Sequence, residues 1–206
     1  EANLALALKA LDQIYLDEAE GHLRIREGLP ADLLKRGLGF YEDFARENAH
    51  NKGVALLLGH AQYRARLIFL GLGDKDRAEE ALDRAITAYR EAARRWPNRD
   101  ETHYSLGNAL EAKGDVDGAM REYREAMRLR PDHAEAHTNL GIALSRTGDP
   151  DCAIREYREA IRLKPRLPEP HCNLGIALSA KGEHDDAIRE LQESVRLRPD
   201  RGETHL

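Results

Sequence analysis

Residues His103–Pro131 read HYSLGNALEAKGDVDGAMREYREAMRLRP, His137–Pro165 read HTNLGIALSRTGDPDCAIREYREAIRLKP, and His171–Pro199 read HCNLGIALSAKGEHDDAIRELQESVRLRP. The three stretches superimpose at a period of 34 residues. Pro97, Pro131, Pro165 and Pro199 fall in one column, and Gly107, Gly141 and Gly175 in another. Leu106, Leu140 and Leu174, then Gly114, Gly148 and Gly182, then Ala119, Ala153 and Ala187 share further columns. His103, His137, His171 and His205 add a histidine row. A fixed period of this length is the mark of stacked repeat units, each too small to bury its apolar face alone.

Working outward, each cycle reads as two amphipathic helices. His103, Leu106, Gly107 and Leu110 share one face at helical spacing. Gly114 ends that helix, because glycine enters the left-handed region without steric cost. Asp115 is placed to cap the next helix, whose apolar face is Val116, Ala119, Met120, Tyr123, Ala126 and Met127. Pro131 stops it. In the second cycle Asp149 suits the N-cap and Pro150 the first helical position. Gly107 and Ala119 are expected where the two helices of a repeat cross. Tyr123, Tyr157 and Leu191 are expected to fill the groove against the following repeat.

These residues resemble the tetratricopeptide repeat family, whose pattern runs from a bulky residue through Leu-Gly, Gly-Asp, Ala, an aromatic and Ala to Pro. The departures are His at the usual Trp or Tyr position, and Leu191 and Ser194 in the third cycle. The resemblance covers about half the chain and implies an all-α fold, a tetratricopeptide-type α-solenoid in which antiparallel helix pairs wind into a right-handed superhelix. It divides the chain into residues 1–99, degenerate and elongated helix pairs, and three regular repeats at 100–133, 134–167 and 168–201. Residues 202–206 open a further repeat, which suggests an array cut short and self-association through its open end. The chain also begins with Glu1 rather than Met, as expected of a piece of something longer or of a processed chain.

In the first half, helices are expected near 2–21, 31–48, 52–71 and 75–96, with Leu23–Leu29 as an extended loop. Pro97 and the columns of Ala85, Tyr89 and Ala92 put the fourth helix in phase with the array. Its partner is longer than standard, so the pair forms an elongated repeat, and the pair before it a further degenerate one. The segments ANLALALKALDQIYLDEAE (2–20), GFYEDFAREN (39–48) and AEEALDRAITAYREAARRWP (78–97) resemble the region after the membrane helix of bacterial Ser/Thr protein kinases that carry such repeats. That resemblance implies a kinase upstream, with this chain as its regulatory or substrate-recruiting part. It would place the chain outside the cytoplasm if the kinase is membrane-anchored, and in the cytoplasm otherwise. The chain itself holds no kinase Gly-rich loop, His-Arg-Asp or Asp-Phe-Gly.

Composition removes several functions. Acidic residues number 37 against 32 basic, for a net charge of −5. The first 99 residues balance at 16 of each sign, and the remainder carries 21 acidic against 16 basic. No basic footprint for nucleic acid is present, and aromatics at 5% offer few stacking platforms. No nucleophile–base pair, phosphate loop or metal motif stands out, so no catalytic residue, metal or cofactor is expected. Gly37-Leu38-Gly39 and Gly71-Leu72-Gly73 are too short to cradle phosphate. Cys152 and Cys172 begin helices at opposite ends of a pair, too far apart for the ~4.4–6.8 Å Cα spacing of a disulfide.

In the family, first-helix positions face the concave groove and hold a peptide or protein segment. Mapped here, these are Glu101, Tyr104, Asn108, Glu135, Asn139, Ile142, Arg146, Glu169, Asn173 and Ile176. Family members that clamp a chaperone-tail carboxylate use cations where this chain has Tyr104, Glu169 and Asn173, so no such tail is expected. Asparagine both donates to and accepts from a peptide backbone. Asn139 and Asn173, with Asn108 in a neighbouring column, could grip an extended chain as the Asn ladders of family members that select glycosylation substrates do, or could bond neighbouring helices. The row Glu101, Glu135, Glu169 and Glu203 fits either a basic partner or the positive ends of its own helices. The histidine row reads as packing substitutes for Trp, since one zinc needs its ligands ~2.0–2.1 Å from one centre. Arg121/Glu125, Arg155/Glu159 and Arg189/Glu193 read as solvated i,i+4 pairs.

Overall fold

The four Gly-Asp/Glu turns of the sequence all close helices in the same way. In the computed structural model, Gly73, Gly114, Gly148 and Gly182 have φ between 80° and 90°. After each, the next N–H reaches back to a carbonyl in the last helical turn. Asp74 N donates to Phe69 O (2.8 Å), Asp115 N to Leu110 O (2.9 Å), Asp149 N to Leu144 O (3.0 Å) and Glu183 N to Leu178 O (3.0 Å). A residue with a Cβ would strain this left-handed corner. The residue after the glycine then caps the following helix. Asp74, Asp115 and Asp149 accept from Arg77 N, Gly118 N and Cys152 N at 3.1, 2.9 and 3.1 Å. Glu183, one methylene longer, makes no such cap.

The structure describes residues 16–19, 22–25 and 29–198. The helices are α1 (Ala31–Glu47), α2 (Ala55–Gly71, preceded by a 3-10 turn Lys52–Val54), α3 (Lys75–Arg95), α4 (Asp100–Lys113), α5 (Val116–Leu129), α6 (Ala134–Arg146), α7 (Pro150–Leu163), α8 (Pro168–Ala180) and α9 (His184–Leu197). Two short strands, β1 (Leu16–Ala19) and β2 (His22–Ile25), pair antiparallel with Leu16 opposite Ile25. The helix expected over 2–21 is therefore corrected at 16–19, which is a hairpin strand, and its residues 2–15 lie outside the described residues. So do Glu203, His205 and the repeat start at 202–206. No helix among the described residues is long and apolar enough to cross a membrane.

The chain forms two compact units, Glu1–Glu122 and Tyr123–Leu206, divided within α5. In the first, α1 packs on α2, α2 on α3 and α3 on α4. Leu34, Leu38, Tyr41 and Phe44 of α1 meet Ala61, Ala65, Ile68 and Phe69 of α2 and Ala78 and Ala81 of α3 in one core. In the second, α6 to α9 pack each on the next.

The α2–α3 pair is an enlarged repeat whose enlargement is shared equally. Gly59 stands to Tyr89 as Gly141 stands to Tyr157. A Cβ on Gly59 would lie 2.4 Å from the Tyr89 ring, and one on Gly141 2.5 Å from Tyr157 Cε1. From Gly59 to the turn glycine Gly73 is 14 residues, against 7 from Gly141 to Gly148. From the cap Asp74 to Tyr89 is 15 residues, against 8 from Asp149 to Tyr157. Each helix has gained seven residues, about two turns or 10 Å, at its turn end. The added turns carry Leu67, Phe69 and Gly71 beyond the length of a standard pair. The hairpin packs against this overhang: Leu16 packs with Leu67, and Ile25 lies where a Gly71 Cβ would be 3.3 Å away.

Glycines 141 and 175 thus face the aromatic-column residue of their own repeat, not only the alanine of the crossing. In the third repeat the neighbour is Leu191, 2.7 Å from a Gly175 Cβ.

Candidate functional site

The histidine row is a hydrogen-bonded bolt rather than an apolar stand-in for tryptophan. His103 Nδ1 lies 2.7 Å from Glu122 Oε2, His137 Nδ1 2.7 Å from Glu156 Oε2, and His171 Nδ1 2.6 Å from Glu190 Oε2. The opposite nitrogen, Nε2, faces the carbonyls of Pro97 (3.0 Å), Pro131 (3.4 Å) and Pro165 (3.1 Å). Each ring ties the first helix of its repeat to the second helix and to the loop that enters the repeat. A ring protonated on both nitrogens donates at both ends. The glutamate lies 19 residues on, the proline six back.

A second recurring tie runs between repeats. Lys113 at the end of α4 reaches Glu79 Oε1 (2.7 Å) and Asp83 Oδ1 (2.9 Å) on α3, and its column-mate Lys181 at the end of α8 reaches Asp151 Oδ1 (2.5 Å) on α7. On the outer helices the arginine pairs differ from expectation. Glu125, Glu159 and Glu193 bond the arginine that follows by three residues, Arg128, Arg162 and Arg196, each through both carboxylate oxygens. Glutamate on the N-terminal side of its cation suits the helix dipole better than the reverse order.

Within the unit 123–206, the expected groove residues divide sharply. Ile176 is 58% exposed. Asn173 is half-buried beside it on α8, and Glu169 and Cys172 are also partly accessible. On the neighbouring α6, Arg146 is exposed and Ile142 half-buried. Asn139, in contrast, is 1% exposed, and Thr138 turns its hydroxyl back to Ala134 O (3.0 Å). The two asparagines of the column are therefore not equivalent, and only Asn173 has a side chain open to a ligand. Glu135 is held internally: Lys164 Nζ lies 2.5 Å from its Oε1 and His133 Nδ1 3.3 Å from its Oε2. The bond from His133, then that from Lys164, lowers its carboxyl to a pKa of about 2.

Within the unit 1–122, α4 presents Tyr104, Ser105 and Asn108, all half-buried, with Glu101 exposed and bonded to Arg99 (2.9 Å). Sequence reasoning missed the extension of this face onto α2. His60 follows Leu58-Gly59 as Asn108 follows Leu106-Gly107, and that dipeptide was the available signal. His60 Nε2 lies 3.2 Å from Ser105 Oγ, and its ring packs edge-on against Tyr89, centroids 5.6 Å apart. Burial chiefly, then the charges of Arg64 and Arg99, lower its pKa to about 3. A group so depressed holds less proton in the fold than in the open chain. Its stabilisation is full above the ordinary imidazole value near 6.5 and is lost as pH falls from there toward 3. Between pH 7 and pH 5 the wild-type protein should lose about 2 kcal/mol more than a His60→Gln variant. Urea melts of both at the two pH values test this, and equal losses would refute it.

Cys152 and Cys172 are free thiols, and no cluster of His, Cys, Asp and Glu among the described residues is arranged to hold a metal. At the far edge, α9 leaves Ile188 and Val195 exposed, whereas Ile154, in the column of Ile188, is buried.

Comparisons with known proteins agree with this architecture. No curated protein sequence matches the chain. The fold is similar to the crystal structure of MamA, with a TM-score of 0.62 at 20% identity over 81% of this chain and 89% of that one. It is similar to TTC0263, a thermophilic repeat protein of Thermus thermophilus, with a TM-score of 0.60 at 19% identity over 82% and 86%. YrrB, described as a TPR protein with an unusual peptide-binding site, aligns with a TM-score of 0.54 at 20% identity over 82% and 80%. Models of the tetratricopeptide repeat match residues 63–130, 104–168 and 168–201. With most of its length matched and its Gly-Asp turns and Gly–Tyr contacts repeating in space, the chain belongs to the tetratricopeptide repeat family, an all-α solenoid fold that serves as a protein–protein interaction scaffold.

Proposed function

We propose that the chain holds an extended polypeptide segment along the open face of its first helices, without catalysis. The observation that carries this is Ile176, a large apolar side chain left 58% exposed on a first helix, next to the half-buried Asn173. An exposed apolar anchor beside an amide that can pair with a peptide backbone is the minimum equipment for gripping an extended chain. Ile142 and Arg146 continue the face on α6. Tyr104 and Asn108 offer a similar face in the other unit. Glu135 contributes less, because Lys164 and His133 already occupy its carboxylate. YrrB, of similar fold, binds a peptide by its description, which supports the class of ligand and leaves its sequence open.

The test is capture from a proteome by the immobilised chain, compared with an Asn173→Ala/Ile176→Ala variant whose fold is verified by circular dichroism. The same proteins should be retained by the wild type and depleted at least about tenfold on the variant, the ratio expected when ~1.4 kcal/mol or more is removed. Equal retention would remove the groove reading.

A further inference from the structure

The three bolted repeats define what is missing from the enlarged one. The bolt histidine lies four residues before the glycine, at His137 before Gly141, and the glutamate one residue before the aromatic column, at Glu156 before Tyr157. The loop carbonyl belongs to the residue six before the histidine. The Gly59–Tyr89 contact puts the α2–α3 pair in the same frame. The corresponding residues are Ala55 for the histidine, Ala88 for the glutamate and Ala49 for the proline. The histidine and the glutamate have both been reduced to methyl groups, and the loop residue keeps only the main-chain carbonyl common to every residue.

The three residues border open space. Ala49, Ala55 and Ala88, with Leu58, line a cavity of about 500 Å³ in the unit 1–122. That is within the ~300–1,000 Å³ of ordinary ligand pockets. Ala55 and Ala88 are buried in its wall, while Asn51 and Thr87 are exposed at its edge. Its charged neighbours are already matched. Asp83 is bonded to Lys113 (2.9 Å), Arg84 to Glu80 (3.2 Å) and Glu91 to Arg94 (3.2 Å). The hydroxyl of Thr87 donates to Asp83 O (2.9 Å), and Asn51 Oδ1 accepts from Gly53 N (3.0 Å).

We infer that this cavity is a binding site for an uncharged aromatic side chain of a partner polypeptide. Its frame is the one that, in each regular repeat, closes on the histidine's flat ring between two helices and a loop. With the carboxylate replaced by the Ala88 methyl, an imidazole loses its charged acceptor, and a phenyl or indole ring is the apolar equivalent. Rim charges that already have partners, two acidic and two basic, give no preference for an ionic ligand. The site is independent of the face carrying Ile176, which lies in the other unit.

The probe is N-acetylphenylalanine amide, titrated into the full ¹⁵N-labelled chain and followed by amide shifts. Binding of about millimolar Kd is expected for a ligand this small, with shifts confined to residues 49–58 and 84–91. Ala88→Leu, which fills the cavity, and Thr87→Trp, which covers it from an exposed position, should each weaken binding at least about tenfold. The second variant keeps the test valid if the first disturbs packing. The inference is overturned if those amides stay unmoved at about 50 mM probe, if shifts fall elsewhere, or if both variants bind like wild type. N-acetylleucine amide should bind at least about fivefold more weakly, and equal binding would overturn the preference for a ring.

Discussion

Gly141→Ala is expected to destabilise the unit 123–206 by about 2 kcal/mol, while the chemically identical Gly39→Ala stabilises its own unit by about 1 kcal/mol. Both glycines sit inside helices, where alanine is favoured by about 1 kcal/mol. They differ in what the new methyl meets. At Gly39 nothing lies within 4 Å. At Gly141 the methyl would fall 2.5 Å from Tyr157 Cε1 and 2.8 Å from Cδ1. The Tyr157 ring is buried and cannot withdraw without opening the repeat. Overpacking of this kind costs about 3 kcal/mol, which outweighs the helical gain. Tyr157→Ala alone should cost about 3–5 kcal/mol as a buried ring lost. In the double variant the clash is gone, so the combined loss should fall short of the sum by at least about 1 kcal/mol. Denaturant melts of the four proteins measure the cycle. A Gly141→Ala change that stabilises as Gly39→Ala does would show that the ring does not rest where the structure puts it.

The second large effect is expected from the bolts. His137→Ala with His171→Ala should cost about 4 kcal/mol, near 2 kcal/mol for each ring that bonds a carboxylate and a carbonyl together. Truncating the histidine also strands Glu156 or Glu190 beside a helix with no donor, which adds to the loss. The diagnostic is coupling. His137→Ala and Glu156→Ala remove the same bond, so the double variant should lose about 1–2 kcal/mol less than the two single losses combined. Strict additivity would reduce the row to packing.

That row also shows where sequence reading stops. The period, the left-handed glycines, the aspartate caps and the helix pairs were legible because each is a local rule, set by a few residues and the steric limits of one turn. The bolt was visible only as a column of histidines. Its partner stands 19 residues away on the next helix, and a spacing of 19 has no meaning until the two helices are packed. The hairpin escaped for a related reason. Residues 16–19 carry apolar spacing that suits a helix as well, residues 22–25 are too short to announce a strand on their own, and their pairing answers to the overhang of α2, which lies far along the chain. At the candidate groove, family position placed Asn139 and Asn173 as equals. Burial separated them, because accessibility depends on every neighbouring element and not on the column.

The shared lengthening of α2 and α3 has a consequence for how this chain can change over generations. Seven residues come within a few tens of degrees of two full turns, so an insertion of that size returns the helix to its original facing. Gly59 and Tyr89 stay in contact only because both helices took the same step. A deletion in one partner alone would leave its mate's apolar end standing in water, and one that is not close to whole turns would also swing the tip around its axis. Length at this tip is therefore a joint character: the two insertions and the hairpin over them are gained or lost as a set, while the regular repeats beside them remain free to vary one residue at a time.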